Sequence, residues 1–137
     1  MGFNLADNVR TTRATDIINA INAGTGTGSM QVYTADKPAT KGAVITTQTL
    51  LGTLGFAEPA GTVTDGVATY NVMTDDSNAD ADGIANWTRI LDGDGNFVAD
   101  MTITDENGAG PVKMKSLQVY EGGILHITSF VLTEGNN

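Results

Sequence analysis

Cysteine is absent from the 137 residues, so neither a disulfide framework nor a thiolate metal site is open to this chain. Basic residues are scarce: seven lysines and arginines face sixteen carboxylates, a formal net charge of −9. A nucleic-acid binder needs a basic stripe to displace phosphate counterions, so no direct nucleic-acid partner is expected. No apolar run approaches the length needed to cross a bilayer, and scattered charges interrupt Met1 to Ala20; neither membrane association nor a secretory leader is expected. His126 is the only histidine. A nucleophilic triad would need Ser29, Ser77, Ser116 or Ser129 beside it, and none of these lies in a nucleophile elbow. Between Leu125 and Ile127, His126 reads as a core or cross-strand residue. Nothing in the residue order singles out a carboxylate pair for glycoside chemistry, whose separation is a three-dimensional matter. No catalytic residue, cofactor or metal ligand is assigned, and an enzyme is not expected.

What the chain does have is apolar content of 40%, enough for one ordinary domain, and seventeen glycines that punctuate it. The organising stretch is Ile84 to Thr104, which reads as a hairpin and holds the only tryptophan. Ala85, Trp87, Arg89 and Leu91 alternate on one arm; Phe97, Ala99, Met101 and Ile103 alternate on the other. An odd loop, Gly93-Asp94-Gly95 with Gly95 left-handed, pairs Leu91 with Phe97 and Trp87 with Met101 on one buried face. Arg89 is the odd residue there. It can snorkel to the rim, pair with a carboxylate or point at a partner chain.

Ahead of the hairpin, Asn4 is positioned to cap a helix with apolar residues Leu5, Val9, Ile17, Ile18 and Ile21, flanked by Ala14 and Ala20 and stopped at Gly24. Gly24 to Ser29 looks like a phosphate loop but lacks its lysine and follows a helix, so it reads as a linker. Short strands follow: Met30 to Thr34; one or two within Ala43 to Phe56; a hairpin around Asp65-Gly66 with Val63, Ala68, Tyr70 and Val72 on one face. A final hairpin, Val112 to Tyr120 with Ile124 to Thr133, would set Leu117 and Val119 against Ile127 and Leu125. About eight strands at this spacing suit a sandwich or barrel. The division expected is residues 1–28, helix and glycine-rich linker, and 29–137, β-sandwich, within a single domain. Asn78, Asp80, Asp82 and Gly83 echo a calcium loop, but Arg89 stands where the bidentate glutamate belongs. Asp92, Asp94 and Asn96 are followed by Phe97 where glycine is needed. Both read as solvated turns, with at most a weak, dispensable calcium site at Asp76 to Asp82.

Several segments together resemble the cement, or head-decoration, proteins of tailed double-stranded DNA phages. They are Ile17-Ile18-Asn19-Ala20-Ile21-Asn22-Ala23-Gly24, Lys37-Pro38-Ala39, Thr46-Thr47-Gln48-Thr49-Leu50-Leu51, Gly66-Val67-Ala68-Thr69, Ala85 to Asp92, and Ile127-Thr128-Ser129-Phe130. The resemblance implies an antiparallel jelly-roll-like β-sandwich of about eight strands with one N-terminal helix. It implies a virion protein, assembled in the host cytoplasm, that binds the capsid exterior and bridges major capsid protein subunits. A homodimer resting on apolar contacts is expected, and Phe3, Arg10 and Arg13 of the N-terminal segment are expected to take part in the partner interface with the capsid. The rival reading is a carbohydrate-binding, adhesive β-sandwich module that stacks sugars on Trp87 or the tyrosines beside a weak calcium turn.

Overall fold

Short runs of β-branched and apolar residues, cut by glycine and aspartate turns, become ten strands and one helix in the computed structural model, which describes residues 4–134. In chain order they are α1 (Asp7–Asn22), β1 (Ser29–Tyr33), β2 (Leu50–Gly55), β3 (Gly61–Thr64), β4 (Val67–Tyr70), β5 (Gly83–Ile84), β6 (Trp87–Leu91), β7 (Phe97–Asp105), β8 (Val112–Met114), β9 (Gln118–Val119) and β10 (Ser129–Thr133). Eight strands form one curled sheet in the order β2-β1-β6-β7-β8-β10-β4-β3, and β5 pairs with β9 apart from it. The expected all-β, sandwich-like architecture with an N-terminal helix is therefore present. Its neighbours are antiparallel except β7 and β8, which run parallel, so the sheet is mixed.

The core lies where α1 meets the sheet. Ala14, Ile18 and Ile21 of the helix join Met30 and Val32 of β1, Leu51 and Leu54 of β2, Ile90 of β6, Met101 and Ile103 of β7, and Phe130 of β10. The buried stripe is narrower than expected, because Val9 faces solvent. The helix also begins later: Ala6 occupies the N-cap without a side-chain bond, so Asn4 is not the cap. Asp7 in the first turn instead supplies negative charge to the helix N-terminus.

The glycine-rich segment after α1 is a joint rather than a linker. The Gly93 N–H donates to the Ala23 carbonyl at 2.8 Å, and the Thr25 N–H and hydroxyl both donate to Asp94 Oδ1. A Cβ built on Gly93 would fall 2.0 Å from the Gly26 carbonyl oxygen, and one on Gly28 would fall 2.6 Å from Ile21 Cγ2. Two backbones thus touch where no side chain fits. This contact fixes the helix against the β6–β7 turn.

That turn has the expected form. The Asp92 N–H donates to the Asn96 carbonyl at 2.9 Å, closing Gly93-Asp94-Gly95, and Gly95 has φ +84°. The Asn96 N–H, with smaller help from the Asp94 N–H and against some burial, holds the Asp92 carboxyl below its usual range. Leu91 opposes Phe97 as expected. Beyond that pair the register departs, for Ile90 opposes Ala99, Arg89 opposes Asp100 and Trp87 opposes Thr102. Val98 is the extra residue of a β-bulge. Trp87 and Met101, expected opposite each other, are on different faces, and both faces of β6 are buried. Phe97, expected buried, is 39% exposed.

Asp65 and Gly66, both with positive φ, join β3 to β4 in a two-residue turn with Val63 opposite Ala68, as read from the sequence. Val72 is exposed because the ladder stops at Tyr70. The final hairpin is not continuous: β8 meets β10 only at Val112 and Lys113. The residues between are taken by other partners. Val119 pairs with Gly83 of β5, the Leu117 carbonyl accepts from the Ala85 N–H, and Leu125 exchanges backbone hydrogen bonds with Asp76.

Two stability tests follow from this packing. Gly93→Ala should cost about 3 kcal/mol or more through the backbone clash. Gly95→Ala, which meets open space but keeps a left-handed backbone, should cost only about 1 kcal/mol. Urea midpoints at unchanged slope measure both, and a larger loss at Gly95 contradicts the joint.

The second test uses Tyr70, which stacks on Phe130 at 3.9 Å with its buried hydroxyl unpartnered among the described residues. Burial pushes its pKa up to about 12 from an ordinary 10.0. The unfolded chain then releases this proton first. Stability is held below pH 10 and falls between pH 10 and 12 by roughly 1.4 kcal/mol per pH unit for this group. Tyr70→Phe should flatten that alkaline loss without destabilising the protein at neutral pH, as read from melting midpoints across the pH range.

Candidate functional site

One face of β1, β6 and β7 carries an unusual set of side chains. The register brings Tyr33 beside Trp87, Gln31 beside Arg89, and Arg89 beside Asp100. The Tyr33 and Trp87 rings stack at 4.7 Å. The Arg89 guanidinium carbon lies 5.4 Å from the ring centroids of both Trp87 and Phe97. Its Nε and Nη2 donate to Asp100 Oδ1 and Oδ2 at 2.8 and 3.0 Å, a two-pronged ion pair with both side chains almost fully covered. The hydrogen bond to Asp100 raises the Arg89 pKa further, against the opposing effect of burial. Burial also pushes the Tyr33 phenol up, with Arg89 pulling the other way.

Residues 34–49, between β1 and β2, form a strap that closes this face. The Trp87 indole N–H donates to the Thr34 carbonyl at 3.2 Å and Arg89 Nη1 to the Ala43 carbonyl at 2.8 Å. The Gly42 N–H donates to Asp100 Oδ2 at 3.3 Å, Gln48 Nε2 to the Asp36 carbonyl at 2.7 Å, and Asn86 Nδ2 to the Ala35 carbonyl. Of the one or two strands expected within Ala43 to Phe56, a single one forms, and it starts at Leu50. Between the strap and the start of β7 lies a cleft of about 380 Å³, lined by Lys37, Pro38, Ala39, Lys41 and Phe97 to Asp100.

His126 is neither in the core nor beside a nucleophile. It is half exposed, and its Nδ1 lies 2.7 Å from Asp75 Oδ1, next to the Asp76–Leu125 bridge. Ser116 lines the same shallow cleft of about 270 Å³, yet among the described residues no serine hydroxyl hydrogen-bonds the imidazole. An Asp–His pair without a bonded hydroxyl lacks the proton path that activates a serine.

Two carboxylates of the acidic stretch bond to backbone. Asp76 accepts from the Thr53 and Asn78 N–H groups, and Asp82 accepts from the Glu121 N–H. Among the described residues, no group of three histidines or carboxylates converges to hold a metal ion.

The expected partner residues fall in two places. Arg10 Nε donates to the Glu134 carbonyl and Nη1 pairs with Asp7, while Arg13 pairs with the Glu134 carboxylate at 2.8 Å. Both arginines thus tie the helix to the chain just after β10; Phe3 lies outside the described residues. Sequence reading missed Asp100, which an unbulged hairpin sets opposite Thr88. Only the need of a buried Arg89 for a carboxylate pointed towards it. Exposed apolar side chains lie elsewhere: Ile84 opposes Gln118 in the β5–β9 pair, Tyr120 directly follows β9, and Ile124 lines the shallow cleft together with Gln118. Among the described residues no helix is long and apolar enough to cross a membrane. Comparison with protein-family models, curated proteins and solved structures gives no match.

The buried pair makes a sharp prediction. Arg89→Met or Asp100→Ala alone strands a charge and should cost about 3–5 kcal/mol, whereas Arg89→Met with Asp100→Leu should cost far less than the sum. Each single variant should also free the strap, so that trypsin cuts after Lys41 faster than in the parent. Additive costs with unchanged cleavage would contradict the role given to the pair.

Proposed function

We propose that the chain is a structural virion protein that binds the outside of a phage capsid and bridges major capsid subunits, stabilising the shell. The segments that resemble head-decoration proteins suggest the class. The observation that carries it is the set of exposed apolar side chains on and next to the β5–β9 pair: Ile84, Tyr120 and Ile124 are 53%, 67% and 70% exposed on an otherwise acidic protein. Exposed apolar side chains around one short strand pair fit a protein partner. In this reading a second copy covers these side chains as a homodimer, and polar contacts reach the capsid. Many modest contacts, linked across a lattice, hold through avidity.

A carbohydrate-binding module is the weaker alternative. Trp87, Tyr33 and Tyr70 are buried, which leaves Tyr120 as the one exposed tyrosine for a stacking platform. Catalysis is weaker still, for the Asp75–His126 pair has no bonded nucleophile.

Particles assembled with the chain withheld should form shells in outline but burst more readily under heat or low salt. A variant carrying Tyr120→Asp and Ile124→Asp, checked for folding by circular dichroism, should sediment as a monomer and fail to restore them. If withholding the chain leaves particle stability unchanged and abolishes host attachment instead, the adhesive module is the right reading.

A further inference from the structure

Three observations converge at the cleft between the strap and β7. The first is charge. Lys37 and Lys41 are exposed on its rim, and neither makes an ion pair or hydrogen bond among the described residues. On a chain of net charge −9, with all three arginines paired to carboxylates, two unpaired lysines on one cleft are a local reversal of sign. The cleft's own carboxylate, Asp100, is occupied by Arg89 and the Gly42 N–H, so it does not neutralise them.

The second observation is the lining. Pro38, Ala39, Phe97, Val98 and Ala99 give the cleft an apolar floor and wall. Phe97 is partly exposed there, although Arg89 and Gly42 hold its ring from behind. The third is the strand beneath. β7 pairs with β6 through Phe97–Thr102, but β8 pairs with it only at Ile103–Asp105. Among the described residues, the first six of β7 therefore have no strand neighbour on that flank.

We propose that this cleft is a docking site for an extended, acidic segment of a partner protein. Its backbone lies along the open flank of β7, its carboxylates meet Lys37 and Lys41, and an apolar side chain between them sits against Phe97 and Val98. An unpaired strand flank offers backbone groups that favour an extended polypeptide over a small carboxylate. The lysines set the sign of the partner, and their separation from the apolar wall sets its alternation. Arg89 acts at one remove: it holds the strap and the Phe97 ring, and so holds the cleft open. This inference does not rest on the capsid reading, since any partner with such a segment satisfies it.

The experiment is a titration of the full chain, labelled with nitrogen-15, by a capped heptapeptide alternating aspartate and valine. Its controls are the same peptide with lysine for aspartate, and free acetate. Amide shifts should move at 37–42 and 97–102 with the acidic peptide only. Lys37→Glu with Lys41→Glu, both exposed strap positions, should weaken binding about tenfold, the scale of two exposed ion pairs, while the amide spectrum elsewhere is unchanged. The proposal is overturned if no shift appears at millimolar peptide, or if acetate produces the same shifts, which marks a small-carboxylate site. It is equally overturned if the charge reversal leaves affinity unchanged. Should the parent chain self-associate in sedimentation and the charge-reversed chain not, the occupant is a second copy, and the partner-protein assignment fails.

Discussion

A guanidinium enclosed between two strands must meet a carboxylate, and the architecture around β6 follows from that demand. Arg89 is flanked by Trp87 and Phe97 and shut off from water, so an unpaired charge there would cost several kcal/mol. A regular hairpin leading from Leu91 and Phe97 would put Ala99 opposite Arg89. The bulge at Val98 advances β7 by one residue and delivers Asp100 instead. The cost of an unpaired bulge residue is small against that of a buried, unmatched ion. Asp100 also accepts from Gly42, and Arg89 donates to Ala43, so one ion pair fixes a strap that has no strand of its own.

The other constraint is steric. Where the chain leaves α1, it passes so close to the β6–β7 turn that Gly26 and Gly93 almost share space. Asp94 then receives the Thr25 N–H and hydroxyl, and Asp92 organises the turn from within. These aspartates look like metal ligands in sequence and serve as acceptors for backbone groups that would otherwise be unpaired. Helix, glycine segment and central hairpin form one rigid unit. The same logic applies to Asp76, which fastens Thr53 and Asn78 instead of an ion.

Local features of the fold were legible, and long-range ones were not. The three-residue loop at Gly93-Asp94-Gly95 and the two-residue turn at Asp65-Gly66 follow from residues adjacent in the chain, so turn chemistry sufficed. The strand spacing gave the all-β class for the same reason. The register of Trp87 was misread because period-two counting assumes an unbroken ladder, and nothing in the order Phe97-Val98-Ala99-Asp100 announces an extra residue. Leu117 to Ile127 look like the two arms of a hairpin, yet their partners at Asp76, Gly83 and Ala85 lie some forty residues away in the chain. At the candidate site, Arg89 stood out as a lone charge on an apolar face. Lys37 and Lys41 did not, because two lysines near a proline read as an ordinary turn until the strap sets them beside Phe97.

Strand order carries a consequence for how the chain is made. The β3–β4 hairpin is synthesised before β6, but it sits at the far edge of the sheet and reaches it only through β10. As residues leave the ribosome, β1, β2, β6 and β7 can assemble in step with translation. Meanwhile the β3–β4 hairpin can rest on α1, which packs against both of its strands, and on Phe56, which meets Tyr70. Its open edge waits through some sixty further residues until Val131 to Thr133 arrive to close it. The N-terminal helix is already made at that stage, while the β4 edge that later receives β10 is the kind of unpaired edge through which chains join one another.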